Sequence, residues 1–301
     1  MTPDHVDVFE RPEGHRIRAT LRLLRMGRLD PTWQLEDGVV RHAMCTPEGT
    51  VSVQFEERER ELVVSTWGAG SGWVAPRLRG WAGLDDTPQA FQSDHPRIRP
   101  LMQRVGVPHM PQVPLISETL VTCVLQQRVT YKEAARSWRL MAMSLGEEAP
   151  GPFRLRTGPR WSRLIDIGYA GLHPLGMEQK RANLIRFIAG RVAWFEGLRA
   201  HDLTTQKRLL YKVPGLGPWT INMLAGNGLG DADAVPLGDY SLPHTVAWLL
   251  EKKARSDDSE MVHLLAPFRP HRWRLLTLTV LAGVQALMFG PRRKSGWIPG
   301  A

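Results

Sequence analysis

The chain has 301 residues, of which 43% are hydrophobic and 23% charged, a balance that suits one large or two modest buried cores and excludes a disordered chain. Its formal net charge of +9 points to a polyanionic partner or an anionic membrane surface. Only two cysteines occur, Cys45 and Cys123, and neither has a Cys or His at ligand spacing, so neither structural zinc nor a four-cysteine iron–sulfur cluster is expected. Seven of the 39 basic residues are Lys; the Arg excess reflects either a coding bias or bidentate phosphate contact.

The segment MTPDHVDVFERPEGHR has no apolar core and is not expected to be a signal peptide. The first ~80 residues read as β-rich. Asp37-Gly38 is a hairpin turn signal, and Pro47-Glu48-Gly49 is a turn before a strand in which Val51, Val53 and Phe55 alternate with polar residues. Leu62 to Trp67 should pair back across the solvated tip Glu56 to Glu61. Gly68 to Gly83 has no assignable pattern, and the breaker-rich stretch Pro96 to Pro114 reads as a boundary or an extended connection.

From Leu115 the pattern turns helical. Helices are expected over Leu115–Gln127, from the capping box Thr130/Glu133 through Met143 to a stop near Gly146, over Gln179–Phe195, Thr205–Lys212, Trp219–Asn227, Leu242–Glu251 and Arg272–Phe289. The apolar stretch Leu275–Phe289 is too short for a bilayer and reads as a buried helix. No basic amphipathic helix suggests a membrane partner. Few cysteines and no membrane span make the cytoplasm, with the nucleoid, the expected setting.

Val213-Pro-Gly-Leu-Gly-Pro-Trp-Thr220 ends one helix and starts another with Pro218 at its first position. Gly215 and Gly217 permit a tight turn whose amides can hold a phosphate oxygen, while Leu216 packs inward. An ordinary helix–helix connection is the alternative. Asp231 and Asp233 read as solvated turn residues, and Asp239 as either a helix cap or a functional carboxylate.

The hairpin followed about twenty residues later by Asp239-Tyr240 resembles the helix-hairpin-helix DNA glycosylase superfamily, in its 3-methyladenine DNA glycosylase II (AlkA-like) branch. The resemblance spans roughly Leu115 to Gly290. It implies an α+β fold: a mostly α-helical glycosylase core (101–301) preceded by a small antiparallel β-rich N-terminal domain (1–100). It further implies a monomer that binds double-stranded DNA carrying damaged bases and hydrolyses the N-glycosidic bond, with Asp239 catalytic.

Trp219 stands where lyase-active branches carry a catalytic Lys, so no strand scission is expected. Trp219 and Tyr240 would stack on the extruded base, with Met223 and Ala282 at positions that are often aromatic in relatives. Gly215, Leu216, Gly217 and Thr220 would grip the backbone. Gln127 and Arg128, in Leu125-Gln-Gln-Arg-Val129, would fill the vacated space. Arg269-Pro-His-Arg-Trp273 matches the entry to the last helix, and Lys180, Arg181, Arg272 and Arg274 are candidate phosphate contacts. No metal or organic cofactor is implied; a monovalent cation at the hairpin carbonyls is compatible with the resemblance. Two other readings remain: a non-catalytic hairpin protein that binds DNA, and a bifunctional glycosylase/lyase for oxidised bases.

Overall fold

A computed structural model describes residues 1–286. Its N-terminal part is one antiparallel sheet in the order β1-β5-β4-β3-β2, made of β1 (His5–Glu10), β2 (Trp33–Leu35), β3 (Val39–Thr46), β4 (Gly49–Glu57) and β5 (Glu61–Trp67). The turns fall where the sequence places them. Gly38, at φ 70°, joins β2 to β3, and Arg58–Arg60 form the exposed tip between β4 and β5. In register, Phe55 faces Val40 and Val64.

β1 escapes the sequence pattern for a physical reason. Its apolar Val6 and Val8 face solvent, so the strand alternates with the wrong phase for a buried face. One side of the sheet is covered by α1 (Ile17–Leu21) and by α2 (Ser71–Val74) and α3 (Leu78–Trp81), which fold the stretch that had no readable pattern. Trp81 meets Phe55 edge-on at 5.0 Å, and His42 stacks on Trp33 at 3.9 Å.

His15 lies fully buried in this layer. Its Nε2 donates to the Ala82 carbonyl at 2.8 Å, its Nδ1 has no partner, and its ring meets His109 edge-on at 4.7 Å. Burial pushes its pKa from 6.5 down to about 4, and burial lowers that of His109 as well. Because the unfolded chain takes the proton first, stability is full above pH 6.5 and is lost as the pH falls toward 4. Urea unfolding from pH 7 to pH 4 should show a loss of about 3 kcal/mol attributable to His15, removed in His15→Gln. Parallel pH profiles for the two proteins would contradict this.

The breaker-rich connection is not wholly extended: it contains α4 (Arg99–Val105). Beyond it, α5 (Ile116–Leu125) and α6 (Tyr131–Leu145) follow the sequence expectation. The capping box forms, with the Thr130 amide donating to Glu133 at 2.8 Å. Two short helices, α7 (Trp161–Asp166) and α8 (Gly168–Leu172), precede α9 (Gln179–Ala189) and α10 (Val192–Gly197). The single helix expected over Gln179–Phe195 is thus two, broken at Gly190-Arg191. The break lets Glu196 accept the first amides of α5, from Ile116 at 3.0 Å and Ser117 at 2.9 Å. A buried carboxylate at a helix N-terminus is favoured by the unpaired amides there.

The remaining helices are α11 (Leu203–Leu210), α12 (Pro218–Gly228), α13 (Leu242–Glu251), α14 (Asp258–Leu265) and α15 (Arg272–Leu281). α14 was not expected, although Asp257 caps it by accepting from the Glu260 amide at 2.9 Å. α15 stops eight residues short of Phe289 at a turn through Gly283, φ 71°; the end of that expected helix, from residue 287, lies outside the described residues.

α5 runs through the centre, packed on both α9 and α12. A further core joins Phe91, Ile98 and Met110 to α13–α15. The sheet docks on the helices through two buried polar bonds: His42 Nε2 to Glu118 at 3.0 Å, and Trp138 Nε1 to Asp30 at 3.0 Å. Among the described residues, no helix is long and apolar enough to cross a membrane, and no cluster of three His, Cys, Asp or Glu could hold a metal ion. Cys45 and Cys123 are buried free thiols.

Candidate active site

The hairpin joins α11 to α12. Gly215 adopts φ 91°, a region L side chains avoid, and a Cβ there would lie 3.1 Å from Leu184. Leu216 packs inward, into the core that also holds Leu184, Ile185 and Ile221, as the sequence implies. Its side chain is therefore a structural plug, and only its backbone is available to a ligand. Gly217 caps α12 at φ −88° with open space around it, so its conformation does not demand glycine. The amides of Gly217, Trp219 and Thr220 find no acceptor within the described chain. They form a compact donor group at the positive end of α12.

Beside this turn lies a cleft of about 2350 Å³. It is bounded by the hairpin, by residues 237–242, by the α15 face bearing Trp273, Leu276, Thr277 and Val280, by residues 126–132, and by the N-terminal segment 18–28. Eight basic side chains line it against two carboxylates, Glu178 and Asp239.

Asp239 combines both readings that the sequence allowed. Its Oδ1 caps α13, accepting the amides of Ser241 at 2.8 Å and Leu242 at 3.0 Å and the Ser241 hydroxyl at 3.1 Å. Its Oδ2 accepts Trp219 Nε1–H at 2.9 Å. The carboxylate is thereby fixed at the cleft by donors from two elements. The loop is held in turn by α14, whose Asp258 accepts the Gly238 amide at 2.7 Å; Gly238 itself sits at φ 86°.

Trp219 and Met223 line the cleft from α12. Tyr240 lines it as well, but at 76% exposure it stands on the rim. Ala282 does not reach the cleft. It is the C-terminal cap of α15, and its carbonyl accepts from Arg104 at 2.8 Å. The wall expected there is supplied nine residues earlier by Trp273, which the sequence reading treated only as a helix entry. Its ring is seated on Gly226, where a Cβ would fall 2.2 Å away. That contact explains a glycine in the last turn of α12, where a larger residue would collide with the ring. Thr277, one turn along, is 5% exposed and its hydroxyl has no partner.

Several expected DNA contacts are withdrawn from solvent. Thr220 is buried, and its hydroxyl accepts from Gln127 Nε2 at 2.8 Å; the same amide reaches the Gly215 carbonyl at 3.1 Å. Gln127 is thus a brace under the hairpin rather than a free wedge. Arg128 is exposed at the loop tip, with φ 59°. Lys180 is exposed on the cleft rim.

Arg181 is buried and caps α5 through the Leu125 carbonyl at 2.9 Å. Arg272 grips Asp233 with two donors, at 2.8 and 2.6 Å. Arg274 does the same to Asp86, at 2.7 and 2.8 Å. Asp233 is therefore paired rather than solvated, and so is Asp231, which accepts Lys207 Nζ at 2.9 Å. Isolated sequence cannot distinguish a phosphate-binding arginine from one with a carboxylate partner 39 or 188 residues away.

No family model matches the chain. A probable bifunctional transcriptional activator/DNA repair enzyme AlkA of Mycobacterium tuberculosis is 25% identical over 222 residues, 69% of this chain and 44% of that protein, so the chain spans less than half of that relative's length. The 3-methyladenine DNA-glycosylase of Archaeoglobus fulgidus superposes with a TM-score of 0.75 at 18% identity, covering 91% of this chain and 97% of that one. The chain has the fold of the helix-hairpin-helix DNA glycosylases. The 8-oxoguanine glycosylase/lyase of Clostridium acetobutylicum, solved with double-stranded DNA, shares this fold with a TM-score of 0.68 at 10% identity, covering 93% and 98% of the two chains. The β-rich N-terminal part belongs to the fold as much as the helices do, since both superpositions take in more than nine-tenths of the chain.

Proposed function

We propose that this chain is a monofunctional DNA glycosylase that releases alkylated bases, such as 3-methyladenine, from duplex DNA. The observation that carries this reading is the Asp239 carboxylate, held at a basic cleft by Trp219 beside the unpaired amides of the hairpin. The AlkA-like and 3-methyladenine-glycosylase relatives support the choice of substrate.

The chemistry follows from that placement. Extruding a base costs a few kcal/mol of stacking, offset by groups that occupy the gap and hold the flipped nucleotide. Arg128 fills the gap, and the left-handed backbone there presents its side chain from the loop tip. The hairpin amides hold one backbone phosphate without reading sequence. The indole faces of Trp219 and Trp273 attract an alkylated, cationic purine, each contact contributing about 0.5–2 kcal/mol. As the glycosidic bond breaks, positive charge grows on the sugar, and Asp239 stabilises it and orients or deprotonates the attacking water. The carboxylate's other bonds are already made, so it needs little rearrangement during the reaction. No metal or organic cofactor takes part. A monovalent cation at the hairpin would share the Val213 and Gly215 carbonyls, each of which already accepts one internal bond.

A bifunctional reading draws on the glycosylase/lyase neighbour. It requires an amine at the sugar, and Trp219 stands at the relevant position. Lys207 in the preceding helix is committed to Asn222 and Asp231, each at 2.9 Å. Incubation with alkylated genomic DNA should release free 3-methyladenine or related bases and leave intact abasic sites, with no adduct trapped by borohydride. A trapped covalent adduct would establish the lyase reading. Tight duplex binding without release of any base would leave a non-catalytic DNA-binding protein.

A further inference from the structure

Arg18, Arg22, Arg25 and Arg28 recur every three or four residues through α1, the 3-10 turn Arg22–Leu24 and the loop after it, and all four line the cleft. Two of them have local work. Arg18 lies 3.5 Å from the fully exposed Asp37, and Arg25 donates to the Arg28 carbonyl. The side chains of Arg22 and Arg28 are exposed, with no ion pair or side-chain hydrogen bond among the described residues.

The segment is tied to the same frame as the hairpin. The turn carrying Arg22 packs against α12. The Tyr131 hydroxyl donates to the Arg25 carbonyl at 3.0 Å and accepts the Gly27 amide at 2.9 Å, joining the segment to the start of α6 just past Arg128. Gln126 reaches Met26 Sδ at 3.8 Å. The backbone that carries these arginines is thus held at the cleft by contacts to both neighbouring elements.

The described residues of the helical part supply few free cations there. With Arg181 buried, and Arg272 and Arg274 committed to carboxylates, only Arg128, Lys132 and Lys180 among the described residues face the cleft from that side as exposed cations. Neutral hairpin amides release no counterions, whereas affinity for a duplex comes mainly from cations that do. We propose that Arg22 and Arg28 are phosphate-binding residues through which the N-terminal domain grips the duplex backbone. This rests on duplex DNA being the substrate, and it extends the DNA-binding surface to a part of the chain where the motif reading placed no contact.

The test measures affinity of the full chain for an undamaged duplex by fluorescence anisotropy across a salt series, for wild type, R22A/R28A and R22K/R28K. The alanine pair should bind on the order of tenfold more weakly near 0.1 M salt, and its log–log salt slope should be shallower by roughly two. The lysine pair should stay close to wild type. The melting temperature should be unchanged, because neither side chain supports the fold. Wild-type affinity and slope in R22A/R28A would overturn the proposal and leave the glycosylase reading intact. Failure of wild type to bind any duplex would overturn both.

Discussion

Asp239→Asn is expected to slow base release at saturating enzyme by about 10²–10⁴-fold while leaving duplex affinity unchanged. The substitution is nearly isosteric. Its side-chain oxygen can still accept the Ser241 and Leu242 amides, so the start of α13 keeps its cap. Two things are lost: the negative charge that answers the developing cation, and the acceptor for Trp219, whose N–H would then meet a second donor.

Trp219→Phe separates these effects. It keeps an aromatic face but removes the indole donor, so the carboxylate stays charged and loses one of its fixings. Its loss of rate should be smaller than that of Asp239→Asn. Release by Asp239→Asn within a few-fold of wild type, at unchanged melting temperature, would take Asp239 out of the chemistry and leave it a helix cap alone.

Local signals were legible in the sequence, and long-range ones were not. The Thr130/Glu133 capping box, the Gly38 turn, the inward Leu216 and the Asp239 loop each depend on neighbours a few residues away, and all appear where expected. The burial of Arg181, Arg272 and Arg274 depends on partners that only the tertiary fold supplies, and an exposed and a buried arginine are spelled alike. Trp273 could have been found from Gly226: a glycine inside an otherwise helical run often marks close approach of something large. α14 carried its own start signal in Asp257 and Glu260, of the kind that revealed α6. Arg22 and Arg28 were overlooked because their spacing is ordinary for a solvated helix face, and only the packing of that turn on α12 brings them to the cleft.

Arg274→Ala should destabilise the protein by about 3–5 kcal/mol, seen as a drop of roughly 10 °C in melting temperature. The guanidinium is 1% exposed. Besides its two bonds to Asp86, it donates to the Pro108 carbonyl at 2.6 Å, and Asp86 also accepts the Met110 amide at 2.9 Å. Burial works against the Asp86 carboxylate, and the Arg274 guanidinium outweighs it, holding that carboxyl below its usual range. Removing the cation leaves the cost of burial uncompensated, so the carboxyl should then take up a proton more readily.

The Arg274→Ala deficit relative to wild type at the same pH should therefore shrink as the pH is lowered toward 5. Asp86→Leu combined with Arg274→Met should lose much less than Arg274→Ala, because no charge is left behind. The anchor has a functional side. Arg274 sits between Trp273 and Thr277 on the helix that walls the cleft, and its own amide donates to the Ala232 carbonyl at 3.1 Å, upstream of Asp239. An Arg274→Ala protein that melted like wild type but bound duplex with a shallower salt slope would return this residue to the DNA interface.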